Sequence, residues 1–316
     1  MKKNQMPYKN KIVEFDVVIP VYNSENQLTV VVEELLSYLS VNQFSSNIIL
    51  VNDASADRSL EIIQSLVEKY SNINCISLQK NVGQHIATIA GLSQSKSSHI
   101  VIMDDDGQND PKEISKLLQL IELNHDLIFG SYDKKEHSMA RNFGSKLFKF
   151  VIRILFKHEK SLKVSNFKLI SYDLAQKVLA YSVKNPYLNG ELIYYANSPT
   201  STPVLHRKSL KQKSTYKISS LLKIIFNLLF AYSGIPARFA VYSTIIFSFF
   251  SLFLSIFLFI RGLLNETLVP GWTSLTVVFL LFFSLILVLI GIILEYLIRL
   301  TFEISDRPKF MVLKKN

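Results

Sequence analysis

The sequence predicts an α/β domain on a mainly parallel sheet, followed by helices at a membrane surface and a two-helix transmembrane hairpin. Three observations predict it. Between residues 16 and 130, short β-branched runs alternate with helical patterns, the arrangement that yields a parallel sheet covered on both faces. Residues 239–260 and 273–294 each run 22 positions without a charge, and a helix needs about 20 apolar residues to cross the hydrocarbon core. Basic residues gather between these regions: 134–168 hold ten Lys/Arg against two Glu, and 207–223 hold six with no acid.

The elements follow in order. Strands are expected at 16–22 (DVVIPVY), 47–51 (NIILV), 75–78, 99–103 (HIVIM) and 126–129 (DLIF). Helices are expected at about 25–39, 60–69 and 85–93, with another after residue 110. Ligands of such sheets bind beyond the carboxyl ends of the strands, so chemistry is expected in the loops after Val21, Val51 and Met103. None of these loops carries Gly-x-Gly-x-x-Gly or Gly-Lys-Ser/Thr, which removes most support for a dinucleotide cofactor or P-loop ATP binding.

The loop after Met103 is the most informative. Asp104, Asp105 and Asp106 are consecutive carboxylates at a strand end, and their mutual repulsion calls for a cation. Along an extended chain side chains alternate, so Asp104, Asp106 and Gln108 share one face while Asp105 points the other way. Such oxygen ligands suit Mg²⁺ or Mn²⁺ holding a substrate's phosphates. Asp110, Pro111 and Glu113 read as a helix entry, with Asp110 as N-cap. Asp57 reads mainly as a helix cap. Asp53, at a strand tip, could accept hydrogen bonds from a base or ribose, and Tyr22 could stack on a base or simply pack. His85 reads as a helix-surface or packing residue.

Composition bounds the rest. With 316 residues the chain holds one large domain or two ordinary ones, and 49% hydrophobic against 19% charged residues excludes disorder for most of it. One cysteine, Cys75, excludes an internal disulfide and a cysteine zinc site. A net charge of +10 points to nucleic acid, anionic lipid or a phosphorylated substrate. Lys146, Lys149, Arg153, Lys157 and Lys160, spaced 3, 4, 4 and 3 apart, form one helical stripe with Phe143, Leu147, Phe150, Val151, Ile154 and Leu155 away from it. This is the pattern of a helix in a membrane interface, and nucleic acid is set aside. The first 16 residues lack the apolar region of a signal peptide. Arg261 is the one basic residue between the spans, whereas Arg299, Arg307, Lys309, Lys314 and Lys315 follow them. The positive-inside rule then places both termini in the cytoplasm. The expected organisation is an α/β domain at 1–137, a basic interface segment at 138–237, and the hairpin with its tail at 238–316.

Taken together, VVIPVYNSE (17–25), VNDASAD (51–57), NVGQHIATIAGL (81–92) and MDDDGQNDP (103–111) resemble the inverting family-2 glycosyltransferases of the Rossmann-like GT-A fold. The resemblance is narrower still to the polyprenyl-phosphate glycosyltransferases, and continues through RNFGSKLF (141–148), SNFKLIS (165–171), HRKSLKQKSTY (206–216) and VPGWTSLTVVFLL (269–281), ending in GIILEYLIRLTFEISDRP (291–308). It implies that Pro20, Tyr22, Glu25, Asp53 and Asp104 bind the nucleotide. It implies that Asp104 and Asp106, with Gln108, hold Mg²⁺ or Mn²⁺ and the diphosphate, and that Arg141, Ser145 and Arg207 receive the acceptor phosphate. Asp104, Asp106 and Arg141 are then the catalytic set.

The sequence departs from the family pattern in four places. The acid of Tyr-Asn-Glu is displaced to Glu25. Gly130-Ser131-Tyr132 stands for Gly-x-Arg, and Lys134 or Lys135 could substitute. The Arg-x-x-Gly-Lys-Ser spacing is lengthened over 207–214. Asn166 replaces an acid. The implied partners are a nucleotide sugar, most often a uridine one, polyprenyl phosphate (undecaprenyl in bacterial members) and the lipid bilayer, with a homo-oligomer left open. The implied location is the cytoplasmic membrane, with the catalytic domain inside. Processive synthases of this fold carry Gln-x-x-Arg-Trp, but the single tryptophan is Trp272. A non-catalytic membrane partner is the other alternative.

Overall fold

The computed structural model describes residues 14–132, 162–181, 186–207, 272–304 and 310–313, with scattered positions between 236 and 253. The chain divides into two units, one comprising Met1–Ile218 with Arg307–Asn316 and the other Ser219–Asp306.

The first unit is a seven-stranded sheet in the order β3-β2-β1-β4-β6-β5-β7. Its strands are β1 (Glu14–Val21), β2 (Ser45–Asn52), β3 (Ile73–Ser77), β4 (His99–Ile102), β5 (Leu127–Ser131), β6 (Lys168–Ser171) and β7 (Pro199–Pro203). β1 pairs in parallel with β2 and β4, and β2 with β3. β6 lies antiparallel between β4 and β5, and β7 runs parallel to β5. The sheet is therefore mainly parallel, as the alternating pattern predicts.

Both faces of β1 are buried, which is why it reads as an unbroken apolar run. Val17, Ile19 and Val21 join the cluster formed with α1 (Leu28–Val41), α2 (Ser59–Lys69) and α4 (Ile114–Ile121). Val18 and Val51 face the opposite helix, α3 (Gln84–Leu92), so closely that a Cβ on Gly91 would lie 2.3 Å from Val18 Cγ1. Glycine at 91 sets how near α3 comes to the sheet. Two further helices, α5 (Tyr172–Tyr181) and α6 (Leu188–Tyr195), separate β6 from β7.

β6 and β7, drawn from residues 168–203, complete the sheet begun by residues 14–131. The chain after the last helix also returns. Val312 bridges Leu78, the Leu313 amide donates to Ser77 O at 2.8 Å, and the Gln79 amide donates to Met311 O at 3.0 Å. That pairing covers the otherwise open edge at β3.

In the second unit α7 (Trp272–Ile304) is one helix of 33 residues, about 50 Å long at 1.5 Å per residue. The rings of Phe247 and Phe250 lie 6.1 and 6.3 Å from that of Phe282. Judged over the described residues, no helix is long and apolar enough to cross a membrane; several side chains of α7 and most of 239–260 lie outside those residues. The expected interfacial helix around 146–160 lies outside them as well.

Asp16, at the amino end of β1, is the strongest polar anchor of the unit. Its carboxylate is 2% exposed and accepts from Ser95 Oγ at 2.5 Å, the Lys96 amide at 2.9 Å, and the Ser97 amide and Oγ at 3.1 and 2.8 Å. Burial alone would raise its pKa, but these donors outweigh it and hold the carboxyl below the usual range. A depressed carboxylate pKa contributes stability that is present above the unfolded value of about 3.9 and is lost as pH falls through the folded one. Asp16→Asn is expected to lower unfolding stability by about 2–3 kcal/mol at pH 7. The difference should shrink below pH ~4, measured as urea midpoints across pH.

Candidate active site

The site lies where the sheet's strand ends meet their loops. The first two loops are joined side to side. Asn23, at φ 50°, turns the chain after β1. Its amide donates to Ser55 Oγ at 3.1 Å, and its Oδ1 accepts the Ala56 amide at 2.9 Å. Asp57 accepts the Glu25 amide at 3.1 Å and the Ser59 amide at 3.0 Å, and Glu25 Oε2 accepts the Arg58 amide at 2.9 Å. Asp57 therefore caps the start of α2, as its position predicts. Glu25, expected at the nucleotide, gives one carboxylate oxygen to that same helix start.

Asp53 departs further from expectation. It is 3% exposed, and its two oxygens accept the Val82 and Gly83 amides at 2.8 and 2.9 Å. Burial raises its pKa, against those two bonds. The carboxylate thus fixes the loop entering α3 rather than lying open at the strand tip. Pro20 is buried within β1, and the Tyr22 ring is 43% exposed at its end.

The three aspartates separate as the pleat predicts. Asp105, 8% exposed, turns inward and accepts from the Tyr22 amide at 3.1 Å and from Ser24 Oγ, tying the β4 loop to the β1 loop. Asp104 turns the other way, where its Oδ1 accepts Gln84 Nε2 at 2.5 Å and its Oδ2 accepts Asn166 Nδ2 at 3.4 Å. Asp106 Oδ1 accepts the Gln108 amide at 3.0 Å across Gly107, whose φ is 74°. Asp110 accepts the Lys112 amide at 3.0 Å and caps the turn Pro111–Glu113.

Electrostatics marks Asp104. Burial, and then the charge of Asp106, push its carboxyl up to about 6. Lys168 opposes this from 2% exposure, its own ammonium pushed down to about 8 by burial. Lys168 Nζ donates to Asn189 Oδ1 at 2.6 Å and Asn166 O at 3.2 Å. Asn166 Nδ2 donates to Asp104; an acid there would add a like charge. His85, on the same helix as Gln84, packs edge-on to Tyr187 at 5.3 Å. Burial, helped by Lys168, pushes its pKa down to about 4, so it is neutral. Gln84, Lys168 and Asn189 were not singled out from sequence. Gln84 and Lys168 lay within quoted motifs (81–92 and 165–171), whereas Asn189 reaches the site through Lys168 and Asn166.

Among the described residues no three His, Cys, Asp or Glu side chains converge to hold a metal. The donor set still fits a divalent cation shared with phosphates, because Mg²⁺ uses one or two protein carboxylates there and fills its shell from substrate and water. Arg141 and Ser145 lie outside the described residues. Arg207 does not stand free for a phosphate. Its Nη1 meets both Glu34 oxygens at 2.7 Å and its Nη2 meets Asp110 Oδ2 at 2.7 Å.

The mainly parallel sheet, with Asp104 and Asp106 in the loop beyond β4, has the form of the GT-A fold. Residues 16–179, just over half of the chain, match the glycosyl transferase family 2, and the chain belongs to that family. It is similar to an uncharacterized glycosyltransferase of Bacillus subtilis (strain 168), 24% identical over 308 residues, covering 96% of this chain and 94% of that one. It is also similar to the undecaprenyl-phosphate 4-deoxy-4-formamido-L-arabinose transferase of Pectobacterium carotovorum subsp. carotovorum (strain PC1), 27% identical, with the same 96% and 94% coverage. In fold it is similar to glucosyl-3-phosphoglycerate synthase from Mycobacterium tuberculosis, solved with Mn²⁺, UDP-glucose and phosphoglyceric acid. That likeness has a TM-score of 0.50 and 15% identity, over 70% of this chain and 79% of that one.

Asp105→Ala is expected to cost about 2 kcal/mol of stability, through two lost hydrogen bonds to a buried carboxylate. It should also loosen the loop after β1, whose Tyr22 amide Asp105 holds; thermal unfolding and hydrogen exchange over 22–25 read the two effects.

Proposed function

We propose that the protein transfers a sugar, with inversion, from a UDP-sugar to a polyprenyl phosphate, undecaprenyl phosphate in particular, at the cytoplasmic face of the membrane. The observation that carries this reading is the division of the three aspartates. Asp105 turns into the protein, and Asp104, Asp106 and Gln108 are the groups proposed for a cation and a diphosphate. The undecaprenyl-phosphate relatives support the acceptor, because the similarity covers nearly their whole length rather than the sugar domain alone. The Mn²⁺ and UDP-glucose named for the structural neighbour accord with the donor and with Mg²⁺ or Mn²⁺.

The chemistry is mainly charge management. A phosphate monoester has its second pKa near 6, so the acceptor oxygen is already nucleophilic at pH 7. No residue needs to act as a general base. A divalent cation held by Asp104, Asp106 and Gln108 would neutralise the departing diphosphate. Tyr22 offers a face to the base, and Lys168 adds a fixed positive charge behind Asp104. Arg141 and Ser145 are carried into this proposal as ligands of the acceptor phosphate.

Membrane attachment through 239–260 and 273–294 is part of the proposal. It draws on their uncharged lengths, the 33-residue α7 and the Phe247, Phe250 and Phe282 contacts. The basic stripe at 146–160 would keep the domain at the surface, each residue contributing about 1 kcal/mol on anionic lipid. Such an anchor confines the enzyme to the layer where the lipid phosphate lies.

The test is transfer of radiolabelled sugar into organic-extractable lipid by purified protein with Mn²⁺ or Mg²⁺, undecaprenyl phosphate and a panel of UDP-sugars. Lipid-linked product is expected, lost with EDTA and reduced about 10²–10³-fold by Asp106→Ala, the loss typical when stabilisation of developing charge is removed. Near-normal transfer by Asp106→Ala would sink the metal assignment. Absence of both product and UDP binding in the parent protein would overturn the enzymatic reading of this site.

A further inference from the structure

The short segment after β7 bears on how the acidic loop keeps its shape. His206 forms an antiparallel bridge with Asn109, and the Arg207 amide donates to Gln108 O at 3.0 Å. Residues 206 and 207 thus lie as a two-residue strand against 108 and 109. Side chains repeat the tie. The His206 ring meets Tyr132 edge-on at 4.0 Å, Asn109 Nδ2 donates to Tyr132 Oη at 2.9 Å, and Asn109 Oδ1 accepts the Asp104 amide at 2.9 Å. The Arg207 guanidinium closes the far side of the loop through Asp110, and reaches helix α1 through Glu34. In this loop the Gln108 carbonyl is held by the Arg207 amide, Asn109 bridges His206 and holds the Asp104 amide, and the Asp110 carboxylate is held by the Arg207 guanidinium.

We propose that Arg207 is a positioning residue, clamping the Asp104–Asp110 loop to α1 through Glu34 and Asp110, and not a ligand of the acceptor phosphate. A planar guanidinium suits this work, since two of its nitrogens reach two carboxylates in fixed directions. Asp110 is already fixed by its bond to the Lys112 amide, so the fork has a rigid post on one side and a helix on the other. The functional half of this inference rests on the proposed metal-dependent transfer; the clamp itself does not.

The experiment compares Arg207→Gln, Arg207→Lys and Glu34→Gln in the full-length, detergent-solubilised protein. Glu34 is 40% exposed on its side chain, so Glu34→Gln tests the clamp without threatening the fold. Hydrogen exchange over 104–110 is expected to quicken in Arg207→Gln and Glu34→Gln. The Kd for Mn²⁺·UDP should rise about three- to tenfold, the scale of a part-exposed ion-pair network, with Arg207→Lys between. The KM for undecaprenyl phosphate should stay within about twofold, since uniform binding of the acceptor is untouched. Unchanged exchange in both variants overturns the clamp. So does a rise in acceptor KM confined to Arg207→Gln with Glu34→Gln behaving as the parent, the signature of a phosphate ligand. If the parent protein binds no Mn²⁺·UDP, the metal reading fails, and the exchange rates alone decide the clamp.

Discussion

Three adjacent carboxylates at the end of one strand cannot all face the same ligand, and the pleat of the chain decides which do. Asp105 is turned into the protein, where the Tyr22 amide and Ser24 hydroxyl neutralise it by hydrogen bonding. Asp104 and Asp106 remain on the other side, close enough for one to raise the pKa of the other. The surroundings can be read as answers to that repulsion: amides from Gln84 and Asn166 and a buried ammonium at Lys168. Remove the alternation, and neither the loop that presents Tyr22 nor the acidic pair would hold its place.

Several carboxylates that could serve a ligand instead serve the scaffold. Asp53 fixes the entry to α3, Asp57 and Glu25 bind the first two loops together, and Asp16 anchors the opposite end of β1. Each stands near or at the end of a parallel strand, where the chain leaves the sheet and its N–H groups lack ladder partners. An ionised carboxylate accepting two or three backbone amides rigidifies such a turn at little entropic cost. The outcome is a rigid rim on which few groups have to move when a nucleotide arrives, the condition under which positioning lowers a barrier.

Much of this was legible in the sequence. The alternation of runs and helices gave the five strands from Glu14 to Ser131, and period-two spacing placed Asp105 opposite Asp104. The capping roles of Asp57 and Asp110 followed from local chemistry alone. What was not legible depends on pairing between distant segments. β6 (KLIS) and β7 (PTSTP) lack the apolar runs that mark the equally short β4 and β5, and β6 inserts antiparallel between β4 and β5. Lys168 meets Asp104 only because of that insertion. Arg207 sits in a basic run that reads as phosphate-binding, and nothing local announces that Glu34, 173 positions away, takes its guanidinium. Asp53 misleads for the same reason, since Val82 and Gly83 reach it from across the sheet edge.

The central claim is that Asp104 and Asp106 share a cation with the donor's diphosphate while Asp105 does not. Pulsed electron paramagnetic resonance of Mn²⁺ with UDP bound tests it most directly, because phosphorus hyperfine coupling requires the ion to touch the diphosphate. Coupling should be present in the parent protein, vanish with Asp106→Ala and survive Asp105→Asn. Phosphorus coupling undiminished in Asp106→Ala, or bound Mn²⁺ whose spectrum ignores UDP, would contradict the account.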